Sequence, residues 1–250
     1  MGTNLINYQE RFEVMAREAT QTERVTSNGR FMSTKSGVLS FMDEAMPGNQ
    51  VAAIILDSVF ENTYYPNKWK PGVIENPRCY AFGRNEEELE PYIEGMEKDM
   101  EAFEPQAEDC ASCEFNEWGS SDTGSGKACQ QRRRLYMVPA GFYDQLPGGF
   151  ELDLIDSPED LKDMDPAMLK VPVTSTKNWA KYVHEVSKEF NRPPMGVITR
   201  IYLTPDAKSQ FQVNFEVIDL VPDHLLDAVF DMHETAKDNI ITPYYVSEKD

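Results

Sequence analysis

The chain has 250 residues, 40% of them hydrophobic and 27% charged, and its formal net charge is -19. A chain of this length can bury a sizeable core, and this composition excludes wholesale disorder. No stretch approaches the roughly 20 consecutive apolar residues of a membrane span, and the polar start at Met1–Glu10 lacks the apolar region of a signal peptide. These features predict a folded, cytoplasmic protein without membrane contact.

Hydrophobic periodicity predicts the first elements of the chain. Apolar residues at helical spacing between Tyr8 and Arg24 indicate an N-terminal helical arm, residues 1–26. After the turn-forming residues Met46–Asn49, the apolar run Val51–Leu56 is typical of a buried strand. This part of the chain is therefore expected to be rich in β-structure.

Just over half of the net negative charge lies in one segment. Between Glu86 and Asp109 there are eleven acidic residues and a single Lys, a net charge of -10. Apolar residues recur there at steps of three and four, which predicts an amphipathic helix over Glu86–Phe103. Such a charge run is commonly a solvated helix face, but it can also attract a basic partner. Its concentration leaves the remaining surface free to carry a basic groove.

Four cysteines carry the most specific chemical signal of the sequence. Cys79 and Cys110 are separated by 30 residues, Cys110 and Cys113 by two, and Cys113 and Cys129 by 15. A Cys-x2-Cys turn brings two thiolates to one tetrahedral ion, and two flanking ligands complete the closed shell of a structural zinc site. In a reducing cytoplasm, metal ligands or buried thiols are more plausible than disulfides.

The loop between Cys110 and Cys129 is polar and rich in Gly and Ser, so apolar burial does not explain its order whereas a bound metal does. We therefore predict one structural Zn²⁺ with Cys79, Cys110, Cys113 and Cys129 as ligands. Buried thiols without a metal remain an alternative, as does an iron–sulfur cluster, although the spacing matches no familiar ferredoxin pattern.

Beyond Cys129 the patterns alternate between strand and helix. Strands are predicted at Arg132–Val138, Gly196–Leu203 and Phe211–Val217, and helices at Pro158–Met164, Asn178–Phe190 and Asp223–Lys237. No internal repeat or long linker divides the chain, so one domain is expected over residues 1–250. Within it, residues 79–131 are expected to be an insertion formed by the acidic helix and the zinc loop. Residues 223–250 are expected to form a C-terminal helix and tail. The predicted fold class is α+β, an antiparallel β-sheet or small barrel with flanking helices.

A family resemblance rests on the cysteine loop and its surroundings. The segments that carry it are Cys110–Cys113 (CASC), Asn116–Ser120 (NEWGS), Gly126–Cys129 (GKAC), Arg132–Leu135 (RRRL), the upstream Arg78–Phe82 (RCYAF) and the downstream Lys170–Ser175 (KVPVTS). From about Phe31 to Val217, the chain resembles tailed-bacteriophage proteins that are likened to single-stranded DNA-binding proteins. The resemblance implies an oligonucleotide-binding (OB) barrel and a zinc-bearing, acidic protein that binds single-stranded DNA. For a viral protein, the expected cytoplasmic location means the cytoplasm of the host cell.

Single-strand binding requires cationic groups along a groove and aromatic faces on which bases stack. The predicted nucleic-acid-binding residues are Lys127, Arg132, Arg133, Arg134, Tyr136, Lys177, Trp179 and Lys181. Two alternatives stay open. The arginines can pair with the acidic segment, and Trp179 can belong to the core side of its helix.

The sequence favours a non-enzymatic function. It contains no Gly-x-Ser-x-Gly elbow, no His-Glu-x-x-His and no phosphate-binding Gly-x4-Gly-Lys-Ser/Thr loop. We expect a sequence-independent single-stranded DNA-binding protein of phage replication or recombination, with replication or recombination proteins as further partners through its acidic segments. The alternative is a zinc-stabilised acidic interaction protein that binds host or phage replication or transcription machinery, or mimics DNA.

Overall fold

The computed structural model describes residues 31–68, 75–93 and 103–244. The predicted N-terminal arm, residues 1–26, lies outside these residues, as does the end of the C-terminal tail. The strands are β1 (Phe31–Met32), β2 (Ser40–Phe41), β3 (Glu44–Ala45), β4 (Gln50–Tyr64), β5 (Cys79–Gly83), β6 (Cys129–Leu146), β7 (Gly149–Leu154), β8 (Ala167–Val171), β9 (Val197–Asp206) and β10 (Gln210–Leu220). The α-helices are α1 (Pro158–Asp163), α2 (Thr176–Phe190) and α3 (Asp223–Asn239).

Eight strands form one mixed sheet in the order β1-β8-β6-β4-β9-β10, with β5 paired to β4 and β7 paired to β6. The β1–β8 pair is parallel, whereas the other pairs of this sheet are antiparallel. The predicted α+β class is confirmed. Among the described strands the sheet does not close on itself, because β1 and β10 stand at opposite ends of the strand order, and the OB-like barrel is therefore not confirmed.

Strands β4 and β6 form the centre of the sheet, and each changes its second partner along its length. The first part of β4 pairs with β9 and its last part with β5. The first part of β6 pairs with β8 and its last part with β7. One end of the long β4–β6 pair, flanked by β5, therefore extends beyond β9 and provides a separate three-stranded platform.

The core lies on both faces of the sheet. Helix α2 covers one face, where Trp179 packs with Ile55 and Leu135, and helices α1 and α3 cover the other, where Leu225 packs with Ile54. A strand buried on both faces reads as a continuous apolar run. This explains why the predicted strand Val51–Leu56 is apolar at successive positions.

The predicted helices and strands after Cys129 are confirmed, most of them with longer bounds. The Ser157 side chain accepts a hydrogen bond from Asp160 N–H and caps α1 as an N-cap residue does. Within the described ranges, no helix has the length and apolar character needed to span a membrane.

The predicted acidic helix over Glu86–Phe103 is wrong over its first half. Residues Glu86–Glu88 form one 3-10 turn, and Leu89 follows in extended conformation. The next residues run beside β5, because Pro91 forms a bridge with Ala81. A proline inside a helix removes a hydrogen bond and disfavours helical backbone in the residue before it, which is why the apolar spacing did not produce a helix here. Residues 94–102 lie outside the described ranges.

The position of Trp179 generates a stability prediction. Trp179→Ala removes a buried indole from the interface of α2 with the sheet, so the free energy of unfolding should fall by about 3–5 kcal/mol. Lys177→Ala, in the exposed first turn of the same helix, should change it by less than about 0.5 kcal/mol. Urea denaturation measures both. Similar losses in the two variants would contradict the placement of Trp179.

Candidate metal centre and its surroundings

Two cysteines meet across the platform formed by β5, β4 and β6. Tyr64, the last residue of β4, lies opposite Cys79 on one side and opposite Cys129 on the other. Residues directly opposite each other in antiparallel strands project on the same side of the sheet. The pairing of β4 with two neighbours therefore places these two thiols on one face, although 49 positions separate them in the sequence.

The cysteine loop, residues 110–129, brings the other two thiols onto the same face. The backbone N–H of Cys110 donates to the Leu89 carbonyl at 2.8 Å, and the ring of Phe115 stacks on Tyr64 with centroids 4.2 Å apart. As a result, all four cysteines line one pocket. Each is a free thiol; Cys110, Cys113 and Cys129 are buried and Cys79 is half-buried.

Polar contacts fix the shape of the cysteine loop. Asn116 donates its side-chain N–H to the Cys110 carbonyl at 2.7 Å, and its side-chain oxygen accepts from the Lys127 ammonium at 3.0 Å. The Ser120 hydroxyl accepts from the Ala128 N–H at 2.9 Å. The loop therefore has an internal scaffold of hydrogen bonds, in addition to its contacts with the platform.

The donor set of the pocket suits a soft or borderline metal. Burial, together with the neighbouring thiols, raises the pKa of Cys110 to about 11 and that of Cys129 to about 12. Four thiolates in one buried pocket would repel each other, and a divalent cation such as Zn²⁺ compensates that charge. Among the described residues, no group of three or more His, Cys, Asp and Glu side chains is arranged so that it could hold a metal ion.

One buried amide faces this pocket without a conventional partner. Asn62, two residues before Tyr64 in β4, is 1% exposed and lines the pocket. Neither polar atom of its side chain has a hydrogen-bond partner among the described residues. The amide nevertheless lies close enough to the Cys110 thiol to lower its pKa, against the larger effect of burial. An unsatisfied buried polar group costs about 1–3 kcal/mol, so its retention calls for an explanation.

The opposite face of the platform holds a buried charge network around Arg134. Its guanidinium donates to both carboxylate oxygens of Glu61, at 2.8 and 3.0 Å, and to the carbonyls of Ile240 and Thr242. Glu61 is fully buried and also accepts a hydrogen bond from the Tyr244 hydroxyl. This network ties the segment after α3 to the two central strands.

Lys170 completes the network from β8. Its ammonium lies 3.6 Å from a Glu61 oxygen and donates to the Tyr244 hydroxyl at 2.7 Å. Burial of Glu61 acts to raise the pKa of its carboxyl group, but the hydrogen bonds and charge of Arg134, with the charge of Lys170, lower it to about 2. Burial lowers the pKa of Lys170 to about 8, although Glu61 acts in the opposite direction.

Three of the predicted nucleic-acid-binding residues need correction, because a side chain must reach the surface to contact a phosphate or a base. Arg134 is 1% exposed and engaged with Glu61. Tyr136 is buried in the core on the side of α1 and α3, and Trp179 in the core on the side of α2. The alternative that Trp179 belongs to the helix core is confirmed. The alternative that the arginines pair with the acidic segment does not hold for Arg134, whose carboxylate partner is Glu61 in β4.

The other predicted binding residues remain at least partly exposed. Lys177 and Lys181 lie on the outer side of α2, where Lys181 forms an exposed ion pair with Glu185. Arg133 stacks its guanidinium on Phe60 at 3.2 Å, on the face that carries the cysteine pocket. The residue next to it in β6, Arg132, projects on the other face and hydrogen-bonds to Gln130. Lys127, which bonds to the loop interior, has its ammonium 5.9 Å from the Trp118 ring centroid.

Sequence reasoning missed Glu61, Tyr244, Asn62 and Trp118 as site residues. Glu61 and Asn62 interrupt the apolar pattern near the end of a long strand, which is a signal that could have been noticed. The indole of Trp118 is 80% exposed on the cysteine loop. Its exposure depends on how the loop folds, so spacing alone does not reveal it.

Comparisons with protein-family models, with curated proteins and with solved structures found no match for this chain. They therefore do not identify the bacteriophage family that the cysteine loop resembles, and that resemblance stays a prediction.

The pKa of Glu61 generates a prediction about acid stability. Because it is about 2 in the folded protein and 4.5 for an unperturbed carboxyl, Glu61 contributes about 3 kcal/mol to stability at pH values above 4.5. This contribution should disappear as the pH falls from 4.5 to 2. Glu61→Gln should lack that part of the acid dependence and should also be destabilised at pH 7, since Arg134 then loses its buried counter-charge.

Chemical denaturation at a series of pH values measures this effect. Glu216→Gln provides the control, because Glu216 forms a partly exposed ion pair with Arg200 at 3.3 Å and should change stability by no more than about 1 kcal/mol. Parallel curves of stability against pH for wild type and Glu61→Gln would refute the proposed role of Glu61.

Proposed function

We propose that this chain is a non-enzymatic, single-stranded DNA-binding protein whose β5-β4-β6 platform is held by one structural zinc ion. The observation that carries the proposal is that Arg133, Phe60 and the Tyr64–Phe115 stack lie on the same face of the sheet, the face that α2 covers. The resemblance to phage proteins supports a role in DNA replication or recombination. The proposal includes a relationship between this fold and the oligonucleotide-binding fold.

The cationic surface runs from the cysteine loop towards α2. In β6, Arg133 alternates with Arg132 and Arg134 and therefore shares a face with Leu135, which packs against the α2 side of the core. Arg133 also lies opposite Val171 at the end of β8. From there the chain leads directly into α2, which carries Lys177 and Lys181.

Aromatic rings accompany this surface at its loop end. Phe60 lies under the Arg133 guanidinium, and the Tyr64–Phe115 stack lies beside the pocket, both on the α2 face. Partly exposed rings between cations are the arrangement that single-strand binders use, with base stacking contributing about 1–3 kcal/mol per base. The proposed binding surface is therefore formed by Lys127, Arg133, Lys177, Lys181 and these rings.

Zinc would act in this proposal as a structural ion. The residues that would hold it are Cys79, Cys110, Cys113 and Cys129, and a closed thiolate shell leaves no position for a reactive water. The ion would fasten a polar loop to the ends of three strands. The basic residues that follow Cys129 in β6 would then be held in fixed orientation.

A second candidate function is an acidic interaction protein that binds replication or transcription machinery or mimics DNA. It is favoured by the net charge of -19 and by the exposed Trp118, which has Glu114 and Glu117 as sequence neighbours on the cysteine loop. An exposed tryptophan beside carboxylates suits a partner that presents an apolar pocket with a basic rim. This function requires the cysteine loop but no affinity for DNA.

The zinc proposal predicts the metal content of the purified protein. Wild type should contain one equivalent of zinc per chain, measured by elemental analysis, and Cys110→Ser should lower that content and the thermal stability. Ser112→Ala, between two of the proposed ligands, should retain the full equivalent. Less than one equivalent in wild type, with thiols that react freely, would refute the metal site.

The DNA proposal predicts salt-sensitive binding that prefers single strands. In fluorescence anisotropy with labelled oligonucleotides, Lys177→Ala combined with Lys181→Ala should weaken binding. The slope of log K against log salt should fall by about 1.4, since each lost phosphate contact of a single strand contributes about 0.7.

A matched control removes two lysines from the other side of the sheet. Lys162→Ala combined with Lys237→Ala changes the net charge equally but affects α1 and α3, so the salt slope should stay within error of wild type. Absence of binding at low salt would reject the DNA proposal and favour the interaction protein. Equal loss of slope in both double variants would reject the proposed surface.

A further inference from the structure

The cysteine pocket contains a polar side chain that is not one of the proposed metal ligands. Asn62 lies two residues before Tyr64 in β4, so the alternation of the strand places both side chains on the pocket side of the platform. Asn62 is 1% exposed and lines the pocket together with the four thiols. An apolar side chain could be buried at this position without needing a hydrogen-bond partner, whereas an amide needs one.

The surroundings of Asn62 indicate which hydrogen-bond partner its side chain lacks. Its side-chain nitrogen and oxygen have no hydrogen-bond partner within the described part of the chain, and its amide is adjacent to the Cys110 sulfur. A neutral thiol is a poor acceptor, whereas a metal-bound thiolate carries negative charge and accepts N–H groups readily. The unpartnered amide therefore fits a charged state of the pocket better than a neutral one.

From this arrangement we infer that Asn62 is a positioning residue of the metal centre, whose side-chain N–H donates to the Cys110 thiolate when the four cysteines bind a metal ion. The inference rests on the zinc site of the proposed function and is independent of DNA binding. Burial raises the pKa of the Cys79 thiol and the backbone N–H of Gln106 acts in the opposite direction, so a second sulfur has a donor group nearby. Two of the four sulfurs would thus have a donor outside the metal shell.

Such donors determine how firmly the ligands hold the metal. They orient the sulfur and spread the negative charge that four thiolates leave on a divalent ion, and loss of a supporting group of this kind typically lowers metal affinity 10- to 100-fold. Removal of an unpartnered buried polar group, in contrast, is close to neutral or stabilising for the metal-free protein. The two states should therefore respond differently to the same substitution.

Asn62→Ala and Asn62→Asp test this inference on the full chain, with zinc affinity measured by competition against a chromophoric chelator. Asn62→Ala should lose 10- to 100-fold in affinity, and Asn62→Asp should lose more, because a carboxylate beside Cys110 cannot donate and adds negative charge. The metal-free Asn62→Ala protein should unfold at a temperature equal to or above that of metal-free wild type. Asn214→Ala, which removes a hydrogen-bonded amide from β10, should leave zinc affinity unchanged.

A second test of the inference uses the wild-type protein. In protein loaded with ¹¹³Cd, a ¹H–¹¹³Cd correlation spectrum should contain a cross-peak from the Asn62 side-chain N–H, transmitted through the Cys110 sulfur. Absence of that cross-peak, or zinc affinity of Asn62→Ala equal to wild type, overturns the inference alone. Wild type that binds neither zinc nor cadmium overturns the proposed metal site and this inference together, while a failure to bind DNA affects neither.

Discussion

The antiparallel pairing of β4 with β6 is the constraint on which the rest of the molecule depends. Its register runs from Ala52 opposite Gly141 to Tyr64 opposite Cys129, and every other strand of the large sheet except β1 and β10 pairs with one of these two. At one end the pair is covered by helices on both faces. At the other end it forms the platform that carries the candidate metal pocket and the buried charges, so both depend on the same register.

Polar groups are buried at the edge of the core on both faces of this platform, but the groups and their partners differ between the two faces. On one face, Glu61 and Arg134 are buried with nearly every hydrogen-bonding position occupied, and the carbonyls of Ile240 and Thr242 are included as acceptors. A buried ion pair is stable only when its charges are satisfied in this way. On the other face, four thiols and the Asn62 amide are brought together without comparable satisfaction, and a bound cation would supply it.

Charged residues that are neighbours in the sequence are separated in the structure. The net charge of -19 argues against a DNA-binding surface, but several cations remain accessible. Arg133 shares the α2 face of the sheet with Leu135, and Lys177 and Lys181 are exposed on α2 itself. The arginine run Arg132–Arg134 is divided among three environments. One arginine stacks on Phe60, one projects on the opposite face, and one is buried against Glu61.

Much of the fold and part of the candidate site could be predicted from the sequence. The spacing of Cys110 and Cys113 identified a turn that presents two thiols. Local periodicity located the buried strand at Val51–Leu56, the helices after Cys129 and the strands β9 and β10. These predictions depend on interactions between residues that are close in the chain, and local patterns record such interactions well.

The remaining features depend on tertiary structure. That all four cysteines share a pocket follows from the pairing of β5 and β6 with the same end of β4, which no spacing encodes. The apolar spacing of Glu86–Phe103 indicated a helix. Its first half is extended instead, because Leu89 is buried and Pro91 forms a bridge with Ala81. The sequence by itself thus determined which side chains can bind a metal or a phosphate. Only the tertiary structure decided which of them are exposed, because exposure is fixed by strand register and by packing between distant segments.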